Sequence, residues 1–211
     1  NYRSGSVSSN TRAVFHVGGY SSDLNTIEYV TIASTGNTTD FGDLTVTRGR
    51  TGGLSNGTRG VFGNGMLYAG GNNNTLDYIT IASTGDAVDF GDAVLGTENE
   101  GSHIAASNGH GGIDHSVYHA TLPAAMGLFA GGGAGSSFTG QSTIMYVNIA
   151  TDGESGMFGD LLEKVSSANF GTAASSTRGI IRQSGIANSA YTNTLEFITF
   201  STKSKATDFG D

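Results

Sequence analysis

The sequence predicts an all-β fold: a β-propeller-like repeat of four-stranded blades, each about 50 residues long. Three observations predict it. The tetrapeptide Asp-Phe-Gly-Asp stands at 40–43, 89–92 and 208–211, with a blurred copy, "GMFGDLL", at 156–162. Two further segments recur ahead of each copy. The 211 residues include 34 Gly and a single proline, Pro123, a turn-rich composition that suits short strands better than helical bundles.

The segment nearest each FGD site reads "NTIEYVTIASTG" (25–36), "NTLDYITIASTG" (74–85), "STIMYVNIATDG" (142–153) and "NTLEFITFSTKS" (193–204). It is β-branched and aromatic, and its alternate residues are apolar on both faces, Ile27 and Tyr29 on one and Val30 and Ile32 on the other. A strand covered on both sides is what stacked sheets require. Further upstream stand "NTRAVF" (10–15), "GTRGVF" (57–62), "AAMGLF" (124–129) and "STRGII" (176–181), each a second strand followed by a Gly/Asn/Ser-rich turn. "FGDLTVT" supplies a third strand, and "RGRTGGLSN" a short, glycine-weakened fourth. The single repeat domain, 1–211, divides into units near 1–43, 44–92, 93–160 and 161–211, with an insertion at 98–119 in the third.

"RGRTGG", a short apolar strand ending in glycines ("HVGG", "YAGG"), "NTIEYVTI" and the aromatic of "FGD" together resemble a kelch repeat. The kelch pattern has a tryptophan where this chain has phenylalanine. More narrowly, "TIASTGNTTDFGDLTVTR" resembles repeats in structural and tail-fibre-like proteins of marine bacteriophages. The resemblance covers nearly the whole chain outside the insertion. It implies a non-enzymatic virion component, at the virion surface or outside the cell, that meets other virion proteins, a host glycan or protein, or further copies of itself in a homo-oligomer.

The two ends match in phase. "NYRSGSVSSNTR" aligns with "VTRGRTGGLSNGTR" (46–59), so residues 2–7 are expected to pair in the blade that holds 208–211 and so close a four-bladed ring. The alternative is a four-unit slice of a longer array.

Each recurring Asp-Phe-Gly-Asp is read as architecture, an aromatic plug and a glycine needed at one turn of every blade. A kinase uses its Asp-Phe-Gly once, beside a phosphate loop, a strand lysine and a catalytic loop that this chain lacks. The net charge of −8, with no Lys/Arg cluster, argues against a nucleic-acid partner. No apolar run approaches the ~20 residues that span a bilayer as a helix. No cysteine is present for disulfides or thiolate metal sites, no G-x-S-x-G elbow occurs, and no cofactor is expected.

Candidate contact residues fall in two groups. The insertion carries Glu98, His103, His110, Asp114, His115 and His119, read as a polar loop on a binding face. Loop aromatics Tyr20, Tyr68, Phe138 and Tyr191 could serve as sugar platforms, which makes a lectin the second reading and a glycan-degrading enzyme the third.

Lastly, units one, two and four carry an Arg in one strand (Arg12, Arg59, Arg178) and an acid in the next (Glu28, Asp77, Glu196). In unit three both change together, to Met126 and Met145. The expectation is an ion pair within each of three blades, and a Met–Met contact in the other.

Overall fold

The computed structural model of the chain describes residues 5–18, 23–67, 73–94, 100–101, 104–108, 125–134, 139–165, 171–182 and 193–210. They form four antiparallel sheets of four strands, arranged as the blades of a β-propeller, with no helix among the described residues. Blade one orders β1 (Ser6–Ser8), β2 (Arg12–His16), β3 (Leu24–Thr31) and β4 (Thr39–Arg48) as neighbours in chain sequence. Blade two repeats this with β5 (Gly52–Ser55), β6 (Arg59–Gly63), β7 (Thr75–Thr80) and β8 (Val88–Asp92).

Blade three adds a ribbon to the plan. A two-residue strand, β9 (Glu100–Gly101), precedes β10 (Ile104–Ser107) and β11 (Met126–Ala130). Its partner β12 (Gly133–Ala134) pairs the start of β13 (Thr139–Asn148), and β14 (Gly156–Val165) completes the blade. Blade four comprises β15 (Gly171–Ala174), β16 (Arg178–Arg182), β17 (Leu195–Thr199) and β18 (Thr207–Gly210).

Three expectations change here. The N-terminal segment does not share a sheet with the C-terminal one: β1 pairs β2, and β18 pairs β17. The glycine-weakened strand is the first of its blade rather than the last, so its partner always follows it in sequence. The insertion also begins later than residue 98, because β10 lies inside 98–119 and pairs β11 through four residues. "ASNG" at 106–109 is the counterpart of "LSNG" at 54–57, a match obscured by the weak strand signal of alanine.

The Asp-Phe-Gly-Asp motif is a β-bulge rather than a turn. In blade one Ile27 faces Gly42 while Glu28 faces Asp40, which leaves Phe41 as the extra residue. The same skip isolates Phe90, Phe158 and Phe209. A bulge re-aims one side chain and frees one backbone carbonyl, and both are used between blades. Gly85 N–H donates to the Phe41 carbonyl at 2.7 Å, and Ala87 N–H to that of Asp43 at 2.8 Å. Gly153 and Ser155 donate in the same way to Phe90 and Asp92, at 2.8 and 2.9 Å, and Ala206 donates to Asp160 at 2.8 Å.

Apolar cores fill the same three junctions. Val14, Ile27, Phe41 and Leu44 of blade one pack with Phe62, Ile79, Ile81 and Ala87 of blade two. Leu54, Val61, Leu76 and Phe90 meet Phe129, Met145, Val147 and Ile149 of blade three. Leu128, Ile144, Phe158 and Leu161 meet Ile181, Ile198, Phe200 and Ala206 of blade four. Each blade therefore offers one apolar face forward and another backward.

Glycine is required in the bulge for two separable reasons. Gly42 and Gly210 have φ of 144° and 137°, a region that L side chains rarely adopt. A Cβ at Gly42 would also collide with the backbone of Gly85, whereas one at Gly210 meets nothing within 4 Å. Gly210→Ala is expected to cost about 1–3 kcal/mol of backbone strain alone. Gly42→Ala should cost clearly more, because it also displaces the next blade. Urea unfolding of the two variants measures the difference.

Candidate functional site

The expected contact residues Glu98, His103, His110, Asp114, His115, His119, Tyr20, Tyr68, Phe138 and Tyr191 all lie outside the described residues. The Arg and acid positions are described, and the pairing within blades is contradicted. Arg59 stands opposite Thr80, and Asp77 opposite Phe62. Arg59 and Phe62 are three residues apart on one strand, so they point to opposite sheet faces, and Asp77 shares the face of Phe62. The same offset separates Arg12 from Glu28, Arg178 from Glu196, and Met126 from Met145.

Instead, the arginines stack. The guanidinium of Arg12 lies 4.7 Å from the Tyr29 ring centre, Arg59 4.0 Å from Tyr78, and Arg178 4.7 Å from Phe197. Each of these rings meets the bulge phenylalanine edge-on, at 5.9 Å for Tyr29–Phe41 and 6.2 Å for Tyr78–Phe90 and Phe197–Phe209. Arg12 also reaches the Ile81 carbonyl at 3.0 Å, and Arg59 pairs Asp152 of blade three at 2.6 Å. Blade three has Met126 in place of the arginine, and there Lys203 of blade four lies 3.8 Å from the centre of the Tyr146 ring. The cation is retained, delivered from the opposite side of the junction.

The acids also act between blades. Asp77 is buried and pairs with buried Arg48 at 2.5 Å, and Thr45 Oγ1 donates to its other oxygen. Both partners come from β4 of blade one. Glu196 accepts from Leu162 N–H at 2.9 Å, and Leu162 is the counterpart of Thr45. In blade three Met145 fills the equivalent slot, 3.7 Å from Ser155 Oγ.

Arg48 centres a buried polar cluster. It donates to the carbonyls of Thr75 at 2.7 Å and Phe62 at 3.4 Å. Burial pushes the Arg48 pKa down and that of Asp77 up, and in each case the partner's charge opposes the shift. Beside it, buried His16 sits 2.9 Å from Thr51 Oγ1 through Nδ1 and 3.0 Å from the Leu24 carbonyl through Nε2. A carbonyl only accepts, so Nε2 carries the proton; Nδ1 accepts from the Thr51 hydroxyl, which accepts in turn from Gly5 N–H at 3.2 Å. The neutral ring satisfies this chain. Burial and the nearby Arg48 charge lower the His16 pKa, against the Leu24 hydrogen bond and Asp23, which raise it.

Near the end of β6 and the start of β7 three buried donors have no acceptor among the described residues: Arg48 Nε, Asn64 Nδ2 and Asn73 Nδ2. Such a donor-only set suits an oxygen acceptor. No three His, Asp or Glu side chains converge as metal ligands among the described residues. The stacked cations were missed in the sequence because strand period, not residue spacing, decides which side chains meet. The signal was available: an aromatic follows this position in every copy, as Tyr29, Tyr78, Tyr146 and Phe197.

Asp77→Leu alone leaves a buried guanidinium without its counter-charge and should cost ~3–5 kcal/mol. Joined to Arg48→Met it should cost less, and a double-mutant cycle in urea reads the difference. His16 contributes a pH dependence of known sign. Its folded-state pKa lies below the ordinary 6.5, so the unfolded chain binds more protons under that pH. Its share of stability is full above about 6.5 and is lost as the pH falls from there towards the lowered value. His16→Gln should flatten that part of the stability–pH curve.

Comparison with protein-family models finds none that matches this chain, and comparison with curated proteins finds no match either.

Proposed function

We propose that this chain is a non-enzymatic structural or adhesive component of a phage virion, a rigid blade scaffold that presents loops to a virion protein or to a host-surface glycan or protein. The observation that carries this reading is how repetition and variation divide along the chain. The repeated wording coincides with the strands and the blade junctions, where arginines, acids and bulge phenylalanines hold one blade to the next. The segments that differ between copies lie between the second and third strands of each blade, and at 109–124 in the third unit. Fixed framework with variable loops is the arrangement of a presenting scaffold. The wording of "TIASTGNTTDFGDLTVTR" and its resemblance to phage structural repeats supply the setting.

A lectin is the second reading, favoured by one observation. Tyr20, Tyr68, Phe138 and Tyr191 each fall in the segment between the second and third strands of their own blade. An aromatic at the same station in four repeats suits stacking on sugar rings.

Replacing 110–123 by a short Gly-Ser linker should leave the β-sheet circular dichroism unchanged and abolish capture of the partner from host-cell envelope or purified virion proteins. Retained capture would place the contact surface elsewhere. Tyr20→Ala combined with Tyr68→Ala should weaken glycan-array binding at least tenfold if the ligand is a sugar. Release of reducing ends from a bound glycan would replace the scaffold reading by an enzyme.

A further inference from the structure

Blades one and four each expose one half of a junction that occurs three times inside the chain. On blade four, Phe209 is 52% exposed, whereas Phe41, Phe90 and Phe158 are 2–3% exposed. Its companions Ile180 and Leu195 are only half-buried, while their counterparts Val14, Val61 and Leu128, and Ile27, Leu76 and Ile144, are buried. On blade one, Ile32 is 54% exposed, against 0% for Ile81 and Ile149 and 4% for Phe200. Phe15 and Val30 beside it are half-buried, where Phe62, Phe129 and Ile181, and Ile79, Val147 and Ile198, are buried.

The backbone repeats the pattern. Gly85 and Gly153 donate across their junctions to Phe41 and Phe90, but no such bond joins Gly36 to Phe209 among the described residues. The bulge glycines Gly42, Gly91 and Gly159 each face the next blade's turn, and Gly210 faces open space with the same left-handed φ as Gly42 and Gly91. Apolar side chain, bulge carbonyl and shaped glycine are all in place on blade four. Their complement, an isoleucine followed by a Ser-Thr-Gly turn, is in place on blade one.

We infer that these two faces are the halves of a fourth junction, and that a second copy of this chain fills it head to tail. Blade one of one molecule docks on blade four of another. The internal junctions define the occupant: an apolar residue at the place of Ile81 in all three, and in the first two a following turn whose glycine N–H reaches the bulge carbonyl. This chain carries that element, unoccupied, on its own first blade. The interface is heterologous, joining two different surfaces, so each molecule can both give and receive. The rotation between copies then decides between a closed ring and a longer assembly.

Because the interface is heterologous, a complementation experiment tests it. Ile32→Asp spoils only the donating face and Phe209→Asp only the receiving face. Both residues are exposed in the single chain, so folding should survive, as circular dichroism checks. Light scattering after size exclusion should show the wild type gaining mass with concentration, and each variant alone staying monomeric. An equimolar mixture of the two variants should yield a one-to-one heterodimer, since one intact face remains on each. Wild type that stays monomeric at every concentration overturns the inference, as does a mixture that forms no heterodimer. A monomer in which the Gly36 amide exchanges slowly overturns it too, because blade one has then closed on the blade four of its own chain.

Discussion

Everything in this fold depends on a one-residue irregularity. By adding Phe41, Phe90 or Phe158 to a strand without giving it a cross-strand partner, the bulge turns an aromatic ring and a carbonyl away from their own blade. The ring enters the apolar core shared with the next blade. The carbonyls of the motif accept from the next blade's turn. Sheets have no intrinsic reason to stack at a fixed offset, and apolar faces alone would slide. A backbone ladder combined with a buried ring fixes the offset. The left-handed glycine of the motif allows the two backbones to approach.

The remaining polar chemistry follows from that offset. Once blades are set, the acid of the third strand faces the preceding blade's outer strand, and the chain solves the resulting burial in three ways. Asp77 takes an arginine, Glu196 takes a backbone N–H, and Met145 removes the charge. The stacked cation above the aromatic ring shows the same freedom, supplied within the blade by Arg59 or from the next blade by Lys203. Slots are fixed by architecture, and their chemistry is interchangeable so long as every buried group is answered. The joint change to Met126 and Met145 is therefore two separate adjustments on opposite faces of one sheet rather than the exchange of one pair.

Legibility of the sequence divides along the same line. Blade count and the architectural role of the phenylalanine were readable, because repetition aligns equivalent positions and β-branched runs mark strands. The bulge was not, since "DFGD" carries turn-forming residues and looks like a turn when read locally. The inner strand of blade three escaped because Ala105 and Ala106 give little strand signal, although the "SNG" that follows them was in view. The ion pairs were placed in the wrong sheets because separations of 16 and 18 residues do not say which face of a hairpin a side chain takes. Of the candidate site, the buried cluster around Arg48 and His16 had no sequence signal, its members coming from two blades and several strands.

The claim that the bulge-to-turn ladder holds the blades together is tested most directly by native-state hydrogen exchange at the Gly85 and Gly153 amides. Both residues are exposed by surface area, so their protection reports the hydrogen bonds to Phe41 and Phe90 rather than burial. If the ladder is the joint, the two amides exchange only with global unfolding, with the same free energy as amides inside β3 and β7. Rapid exchange at both sites, with β3 and β7 still protected, would show that the turns open freely and that side-chain packing alone carries the junctions.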